Sequence, residues 1–321
     1  MIPSGPREVL LVHRPHSAAA RDACHRAAGI LRAGGLHPVP ISADTAPELT
    51  HTLAVHLRSR ALRTAAVVAV GGDGMVHLVL QALHALAEQG VALPFGLVPA
   101  GSGNDLARHA GLPTRDVERA AGRVLRGLES APHTMDLLAV RCADGTEHVC
   151  ATAVCLGLDA RINARANRWS RIRSSAKYAV ALALDVVSLR ARRYDLSWTA
   201  PDGTGHATAR MLTFLTLANT SSVGGGFTIV PRASATDGAA DLFMVSDVGI
   251  GRFLRCVPRL WLRTHEALPE VRVAPAVSAT VALDDGAASD PARDAAYGDG
   301  ERLGPLPVSL TVLPAALRVL F

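Results

Sequence analysis

Hydrophobic positions along the chain fall into two textures. From Val9 to Leu128, short continuous apolar runs alternate with longer stretches whose apolar residues recur every three or four positions. The runs Val9–Val12, His37–Ile41, Ala65–Val70 and Phe95–Ala100 have the length and continuity of parallel strands buried on both faces. The stretch through Arg32, a stripe at 75, 76, 79, 80, 83 and 86 stopped by Gly90, and Val117–Leu128 predict helices. From Thr134 onward the runs are shorter, alternate in polarity and are divided by turn residues, which predicts antiparallel structure. Asp136–Arg141 and Val149–Leu156 are such runs, and Arg193–Ala200 with Ala207–Leu217 predicts a hairpin around Pro201-Asp202-Gly203. A helical pattern over 250–265 and strands at Glu270–Ala274 and Ser278–Leu283 come next. Residues 284–296, small, polar and acidic, predict a mobile loop before a final strand pair over Leu310–Leu320.

Two of the predicted parallel strands end in glycine turns. Ala65–Val70 runs into Gly71-Gly72-Asp73-Gly74, and Phe95–Ala100 into Gly101-Ser102-Gly103, with Asn104 or Asp105 placed to cap a helix closed by Gly111 and Pro113. Such glycines let a backbone turn sharply and approach a ligand closely. Strand ends of this kind meet in the crevice where open α/β sheets hold ligands, and helix starts favour anions. Asp73 and Asp105 beside them point to a metal-bound polyphosphate, and so to a nucleotide site. A dinucleotide fingerprint does not fit, because Leu106 stands at the third glycine position. A Walker A loop does not fit either, because the single lysine, Lys177, lies far from any glycine loop.

Composition narrows the class. At 321 residues, 49% hydrophobic and 19% charged, the chain has room for two globular domains. The net charge of +5 is carried almost wholly by arginine and suits nucleotides or anionic membranes. The absence of any block of like charge, and only 4% aromatics, argue against a nucleic-acid partner. Five irregularly spaced cysteines without a C-x-x-C pair read as reduced, mostly buried thiols of a cytosolic protein. No stretch has the roughly 18 uncharged apolar residues of a membrane span; Tyr178–Leu189 is interrupted by Asp185.

The two glycine turns, GGDG at 71–74 and GSGNDLAR at 101–108, resemble the catalytic domain of diacylglycerol kinases and their sphingosine and ceramide kinase relatives, especially the soluble bacterial lipid kinases. Further stretches carry the likeness: Gly157-Leu158-Asp159-Ala160, the block NTSSVGGGFTIVPRASATDGAAD over 219–241, and Gly298-Asp299-Gly300-Glu301. The resemblance implies ATP phosphates held by Arg14, Pro15, Ser17 and Ser42 together with Gly71, Gly72, Asp73, Gly74, Met75, Gly101, Ser102, Gly103, Asn104 and Asp105. It implies a structural Mg²⁺ held by Asp237 and by the backbone carbonyls of Ser234 and Ala239, oxygen donors of the kind a hard cation takes. It also implies a catalytic carboxylate in the Asp-Gly-Glu turn. Glu301 takes the position assigned as proton acceptor, and Asp299, two residues away, would share its face on a strand. Asp73 would organise metal and loop geometry. Arg14, Ala18, Met75 and Leu78 depart from the family pattern. The arginines at 161, 165, 168, 171 and 173 around Trp169 read as a lipid-facing, anion-facing or simply solvated helix.

The expected architecture is therefore α/β plus β-rich. A Rossmann-like nucleotide-binding α/β domain (1–131 plus 308–321) joins an antiparallel β-sandwich domain (132–307), with the active site in the cleft between them. The expected activity is ATP-dependent phosphorylation of a lipid hydroxyl, with diacylglycerol first as acceptor and Mg²⁺ and ATP as required partners. A sphingoid or ceramide-like acceptor, a soluble acceptor as in NAD kinases (which share a GGDG turn), and a nucleotide-binding regulator without turnover stand as alternatives. The expected location is the cytoplasm, with peripheral contact at the inner face of the membrane. The resemblance leaves room for a homodimer.

Overall fold

The computed structural model describes residues 7–131, 133–157, 160, 162, 191–284 and 294–321. The chain divides into two compact units, Met1–Met135 with Ala315–Phe321, and Asp136–Pro314.

The first unit is built on parallel strands β1 (Glu8–His13), β2 (His37–Ser42), β3 (Thr64–Gly71) and β4 (Phe95–Pro99), in the order β2-β1-β3-β4. The end of the chain adds a fifth parallel strand beside β4 through Val319 opposite Phe95. All eight residues of β3 are buried, as a continuous apolar run in the middle of a parallel sheet requires. Helices α1 (Ala18–Ala33), α2 (Ala46–Arg60), α3 (Asp73–Ala87), α4 (Asp105–His109) and α5 (Val117–Glu129) connect the strands. Two of their starts are written in the sequence. Ser17 Oγ accepts from the Ala20 amide at 3.2 Å, and Thr45 and Glu48 form a reciprocal capping box at α2. The register aligns the strand ends: His13 lies opposite Ser42, and Gly71 opposite Pro99. Since β1 sits between β2 and β3, the winding direction reverses at β1, which makes its carboxyl end the switch point of the sheet.

Glu8, the first residue of β1, is buried and accepts from Arg60 Nη1 at 2.9 Å and contacts His56 Nε2 at 3.2 Å. Burial pushes its carboxyl up, but the bonds from Arg60 and His56 outweigh this and hold it below its usual value. A carboxylate depressed in the folded state contributes stability above its unfolded pKa and loses it as pH falls through the folded value. Glu8→Gln is accordingly expected to cost about 1–2 kcal/mol at pH 7. The difference from wild type should shrink once pH drops below the ordinary glutamate range. Urea denaturation at the two pH values measures it, and an equal loss at both would remove the ionised pairing as the cause.

The second unit is antiparallel. Strands β5 (His133–Cys142), β6 (Glu147–Cys150), β7 (Ala153–Gly157), β8 (Arg192–Thr199) and β9 (Gly205–Ala218) come first, then the short pair β10 (Ser222–Val223) and β11 (Phe227–Thr228). Strand β12 (Ala240–Ser246) and helix α6 (Ile250–Trp261) precede β13 (Val271–Ala276), β14 (Ser278–Leu283), β15 (Ala295–Gly298), β16 (Glu301–Pro305) and β17 (Val308–Val319). The sheet runs β16-β15-β7-β9-β8-β14-β17, with β12 between β9 and β13, and β5 paired to β6. Its core is aliphatic, centred on Leu138, Leu156, Leu215, Leu242, Val281 and Leu310.

Three expectations change. The run Val149–Leu156 is two strands, parted at Ala151–Thr152, where backbone amides turn away from the ladder to a side chain described below. The final stretch is one strand, β17, and not a pair; its backbone bends at Ala315 (φ 51°), just after Pro314. The predicted mobile loop at 284–296 ends too late: Asp294 is buried and accepts from Arg192 Nη1 at 3.0 Å, and Ala295 and Ala296 are buried in β15, because the small apolar residues pair as a strand. Residues 285–293 of that loop, the arginines at 161, 165, 168, 171 and 173, and Leu158 and Asp159 lie outside the described residues. Cys24, Cys142, Cys150 and Cys155 are buried, and none of the five cysteines forms a disulfide. Burial pushes Cys24 up to about 11, so that thiol stays protonated and unreactive. No helix among the described residues is long and apolar enough to cross a membrane.

Candidate active site

Strand alignment in the first unit gathers the predicted phosphate-binding residues on one edge of the sheet. Arg14, Pro15 and Ser17 form the β1–α1 turn, and Ser42 ends β2. Gly71 ends β3, with Gly72, Asp73, Gly74 and Met75 leading into α3. Gly101, Ser102, Gly103 and Asn104 join β4 to α4, and Asp105 opens that helix. Arg14 is exposed, while the Ser17 hydroxyl serves as the cap of α1. Met75 is buried, so this departure from the family pattern places a core side chain at the start of α3.

The two glycine turns touch each other. A Cβ on Gly101 would come within 2.9 Å of both Gly72 N and Asn104 Oδ1 and nearer still to Gly72 Cα, while one on Gly72 would stand 3.0 Å from Gly101 Cα. None of the glycines in these turns has a positive φ. Glycine is needed here for close backbone approach, and not for an unusual conformation. The Ala100 amide donates to Gly71 O at 2.8 Å and continues the strand pairing up to the contact.

Asp73 locks the second turn. Its carboxylate oxygens accept from the amides of Asn104 (2.9 Å) and Asp105 (2.8 Å). A carboxylate here neutralises the unpaired amides and the positive end of the helix dipole of α4. The predicted capping role of Asn104 is thereby corrected. Asn104 holds the N-cap position with φ 56° and makes no cap bond; its amide instead closes a ring on Gly101, accepting from N at 3.1 Å and donating to O at 2.9 Å. The cap comes from a residue 31 positions away. His13, buried at the end of β1 with no hydrogen-bond partner for Nδ1, also stands on this edge and was not singled out in the sequence.

In the second unit, Asp299 and Gly300 are the two central residues of the β15–β16 hairpin, both at positive φ (51° and 83°), with Gly298 opposite Glu301. This is the tight turn that Asp-Gly favours. A side chain on Gly298 would collide with Cys150 Sγ. The Asp299 carboxylate is buried and accepts from the amides of Ala151 (3.0 Å) and Thr152 (2.8 Å) and from Thr152 Oγ1 (2.6 Å). Glu301, the first residue of β16, is exposed. The two carboxylates therefore do not share a strand face, because Asp299 belongs to the turn. Burial, and then the Asp299 charge, push the Cys150 thiol far up.

A chain of buried polar groups runs from this hairpin. Asn219 Nδ2 donates to Ala151 O (2.8 Å) and to Asp136 O (2.9 Å). Asp136 in turn accepts from the Gly238 amide at 2.8 Å, and its own amide donates to Ala235 O at 2.7 Å. Both residues are buried and neither was given a role in the sequence. The available signals were the Asn at the head of the glycine block and a lone Asp opening an apolar run. The turn that Asp136 clamps contains Ser234, Asp237 and Ala239. Asp237 is exposed, and one of its oxygens accepts from the Ala239 amide at 3.2 Å. Asp241 lies near: burial, then the Asp237 charge, hold its carboxyl above the usual range. The Asp237 carboxylate and the backbone carbonyls of the same turn are oxygen donors, the chemistry that fits a hard divalent cation.

The same unit contains an apolar cavity of about 150 Å³ beneath α6. Phe214, Phe227, Phe243 and Phe253 form much of its wall, with Leu260 and Leu268. Phe214 and Phe253 stack at 5.8 Å across sheet and helix. Its lining is almost entirely hydrocarbon, so it suits an apolar chain and offers little to a polar ligand.

Comparison with known proteins agrees with this layout. Residues 8–140 match the diacylglycerol kinase catalytic domain, and residues 152–321 match the YegS C-terminal NAD kinase beta sandwich-like domain. The chain is 34% identical over 305 residues to a diacylglycerol kinase of Mycobacterium tuberculosis strain H37Rv, covering 95% of this chain and 91% of that one. It is 27% identical over 234 residues to a probable lipid kinase YegS-like of Stenotrophomonas maltophilia, covering 68% and 71%. In fold it is similar to a crystal structure of a diacylglycerol kinase from Bacillus anthracis, with a TM-score of 0.74 at 16% identity over 99% and 98% of the two chains. Locked glycine turns at a parallel-sheet edge, an acidic hairpin on a β-rich unit and both domain matches in order lead to one conclusion: the chain belongs to the diacylglycerol kinase family of lipid kinases.

Proposed function

We propose that the protein is an ATP-dependent diacylglycerol kinase that works at the cytoplasmic face of a membrane and forms phosphatidic acid. The observation that favours a lipid over a soluble acceptor is the cavity under α6, with its phenylalanine wall. The name of the Mycobacterium tuberculosis relative favours diacylglycerol among lipids.

In this reading ATP enters as its Mg²⁺ complex, and its phosphates lie along the edge formed by the β1–α1 turn and the two glycine turns. Asp73 acts by fixing the second turn through the Asn104 and Asp105 amides. The lipid hydroxyl oxygen attacks the γ-phosphorus, the bond from that phosphorus to the β–γ bridging oxygen breaks, and ADP leaves. Glu301 takes the hydroxyl proton, because it is the exposed carboxylate of the hairpin, whereas Asp299 is occupied by three donors. Such transfers depend mainly on positioning and charge neutralisation. A second Mg²⁺ would be held by Asp237 with the carbonyls of Ser234 and Ala239, where it would neutralise charge and fix the turn.

The test is phosphate transfer from γ-labelled ATP and Mg²⁺ to detergent-dispersed diacylglycerol, monoacylglycerol, sphingosine and ceramide, with NAD as the soluble control. Label in diacylglycerol that is lost in Asp73→Ala and in Glu301→Ala is expected. Label in NAD alone would overturn the lipid reading, label in sphingosine or ceramide alone would move the acceptor, and bound ATP without transfer would leave a regulator.

A further inference from the structure

Helix α6 has an inner and an outer apolar face. Phe253, Cys256 and Leu260 point to the cavity already described. On the outer side, Ile250 (40% exposed), Leu254 (56%) and Trp261 (64%) are open to solvent, and Leu262 (71%) continues the exposed surface just past the helix end. The spacing of 250, 254 and 261 places these three on one narrow stripe of a helix. Large apolar side chains that cluster in this way, and not singly, mark an interaction surface.

The charged residues of the helix itself are of one sign. From Ile250 to Thr264 the chain has arginines at 252, 255, 259 and 263 and no acid. Arg252 is tied to Glu270 at 2.8 Å. Arg255 and Arg259, four apart and therefore on one flank, are exposed, as is Arg263. An apolar stripe flanked by arginine is the layout of a helix that lies in the plane of a membrane interface, with its apolar side among acyl chains and its cations at the headgroups. A second copy of the chain is a poor occupant. A two-fold contact through this face would set the arginines of both copies against each other with no acid in the stretch to pair them.

We propose that the outer face of α6, with Leu254, Trp261 and Leu262 flanked by Arg255 and Arg259, docks on the surface of an anionic phospholipid bilayer. The docking rests on this surface alone. Its use, bringing the cavity that α6 walls to the layer that holds the acceptor, rests on the lipid-kinase reading. Neither Leu254, Leu262, Arg255 nor Arg259 lines that cavity.

The test is co-sedimentation with vesicles of phosphatidylcholine alone, or mixed with phosphatidylglycerol, in the absence of nucleotide. Wild type is expected to partition into the anionic vesicles, with binding weakened by raised salt. Leu254→Glu with Leu262→Glu should lower the partition coefficient at least about tenfold, since charge replaces apolar contact at both positions. Arg255→Gln with Arg259→Gln should remove most of the preference for the anionic vesicles. All four positions are exposed, so melting temperatures should stay near wild type, and transfer to detergent-dispersed lipid should be unchanged. Partitioning of wild type that neither pair alters, or no partitioning at all, would overturn the proposal. So would a change in sedimentation of the protein alone with vesicle binding intact, which would assign the face to another copy. Docking through α6 with no lipid phosphorylated would retain this inference and remove the kinase reading; phosphorylation of dispersed lipid without docking would do the reverse.

Discussion

Glu301→Gln is expected to lower kcat by about 10²–10⁴-fold, the usual contribution of a positioned general base, while ATP affinity and thermal stability stay close to wild type. The residue is the exposed member of an acidic hairpin whose other carboxylate is fully engaged. Glutamine keeps its size and removes only the ability to take a proton. Asp299→Asn should behave differently. An amide has one acceptor oxygen where the carboxylate has two, and its NH₂ would face an amide N–H of Ala151 or Thr152. Loss of a buried bond to a charged group costs about 1.5–3 kcal/mol, so this variant should melt earlier and lose activity because the hairpin is displaced. Paired kcat and melting measurements separate the roles. If Asp299→Asn keeps the wild-type melting point yet loses turnover while Glu301→Gln keeps it, Asp299 is the base.

The contrast between these two carboxylates shows which parts of the molecule are legible locally. Parallel strands were readable because burial on both faces leaves continuous apolar runs such as Ala65–Val70. The glycine turns were readable because close backbone approach admits no other residue, and the Asp299-Gly300 turn because few dipeptides adopt it. Partners across the chain were not readable. Asp73 finds the Asn104 and Asp105 amides 31 and 32 positions away, and Asp299 finds Thr152 at 147. No local periodicity encodes such pairs. For the same reason the run Val149–Leu156 read as one strand. Its break at Ala151–Thr152 is imposed by a carboxylate from a distant hairpin, while its apolar text continues unbroken. Asn104 misled in the opposite direction. Its residue type suits a helix cap, but a positive φ turned its side chain back to Gly101 and left the cap to Asp73. Asn219, at the head of the glycine block, and Asp136, opening an apolar run, link hairpin to turn, but nothing local tells which distant groups they bond.

Gly101→Ala should be the most damaging single methyl in the two glycine turns. The added carbon would lie 2.9 Å from Gly72 N and Asn104 Oδ1 and closer to Gly72 Cα. Two of these three atoms are backbone, and the third belongs to a side chain already closed in a ring on Gly101, so none can rotate away. The two turns would have to separate, stretching the bonds by which Asp73 holds Asn104 and Asp105. Overpacking of this kind costs about 1–3 kcal/mol by itself, and weakening two charge-assisted bonds adds to it. The expected outcome is a clear drop in melting temperature together with at least a tenfold loss of ATP affinity, measured by calorimetry on the folded fraction. Gly111→Ala supplies the control. That glycine has a positive φ (62°) but open space around its Cβ position, so alanine should cost modest stability from backbone strain and leave nucleotide affinity unchanged. If Gly101→Ala bound ATP as well as Gly111→Ala did, contact between the two glycine turns would not be what shapes the phosphate site. The edge formed by Arg14, Ser17 and Ser42 would then have to hold the nucleotide without them.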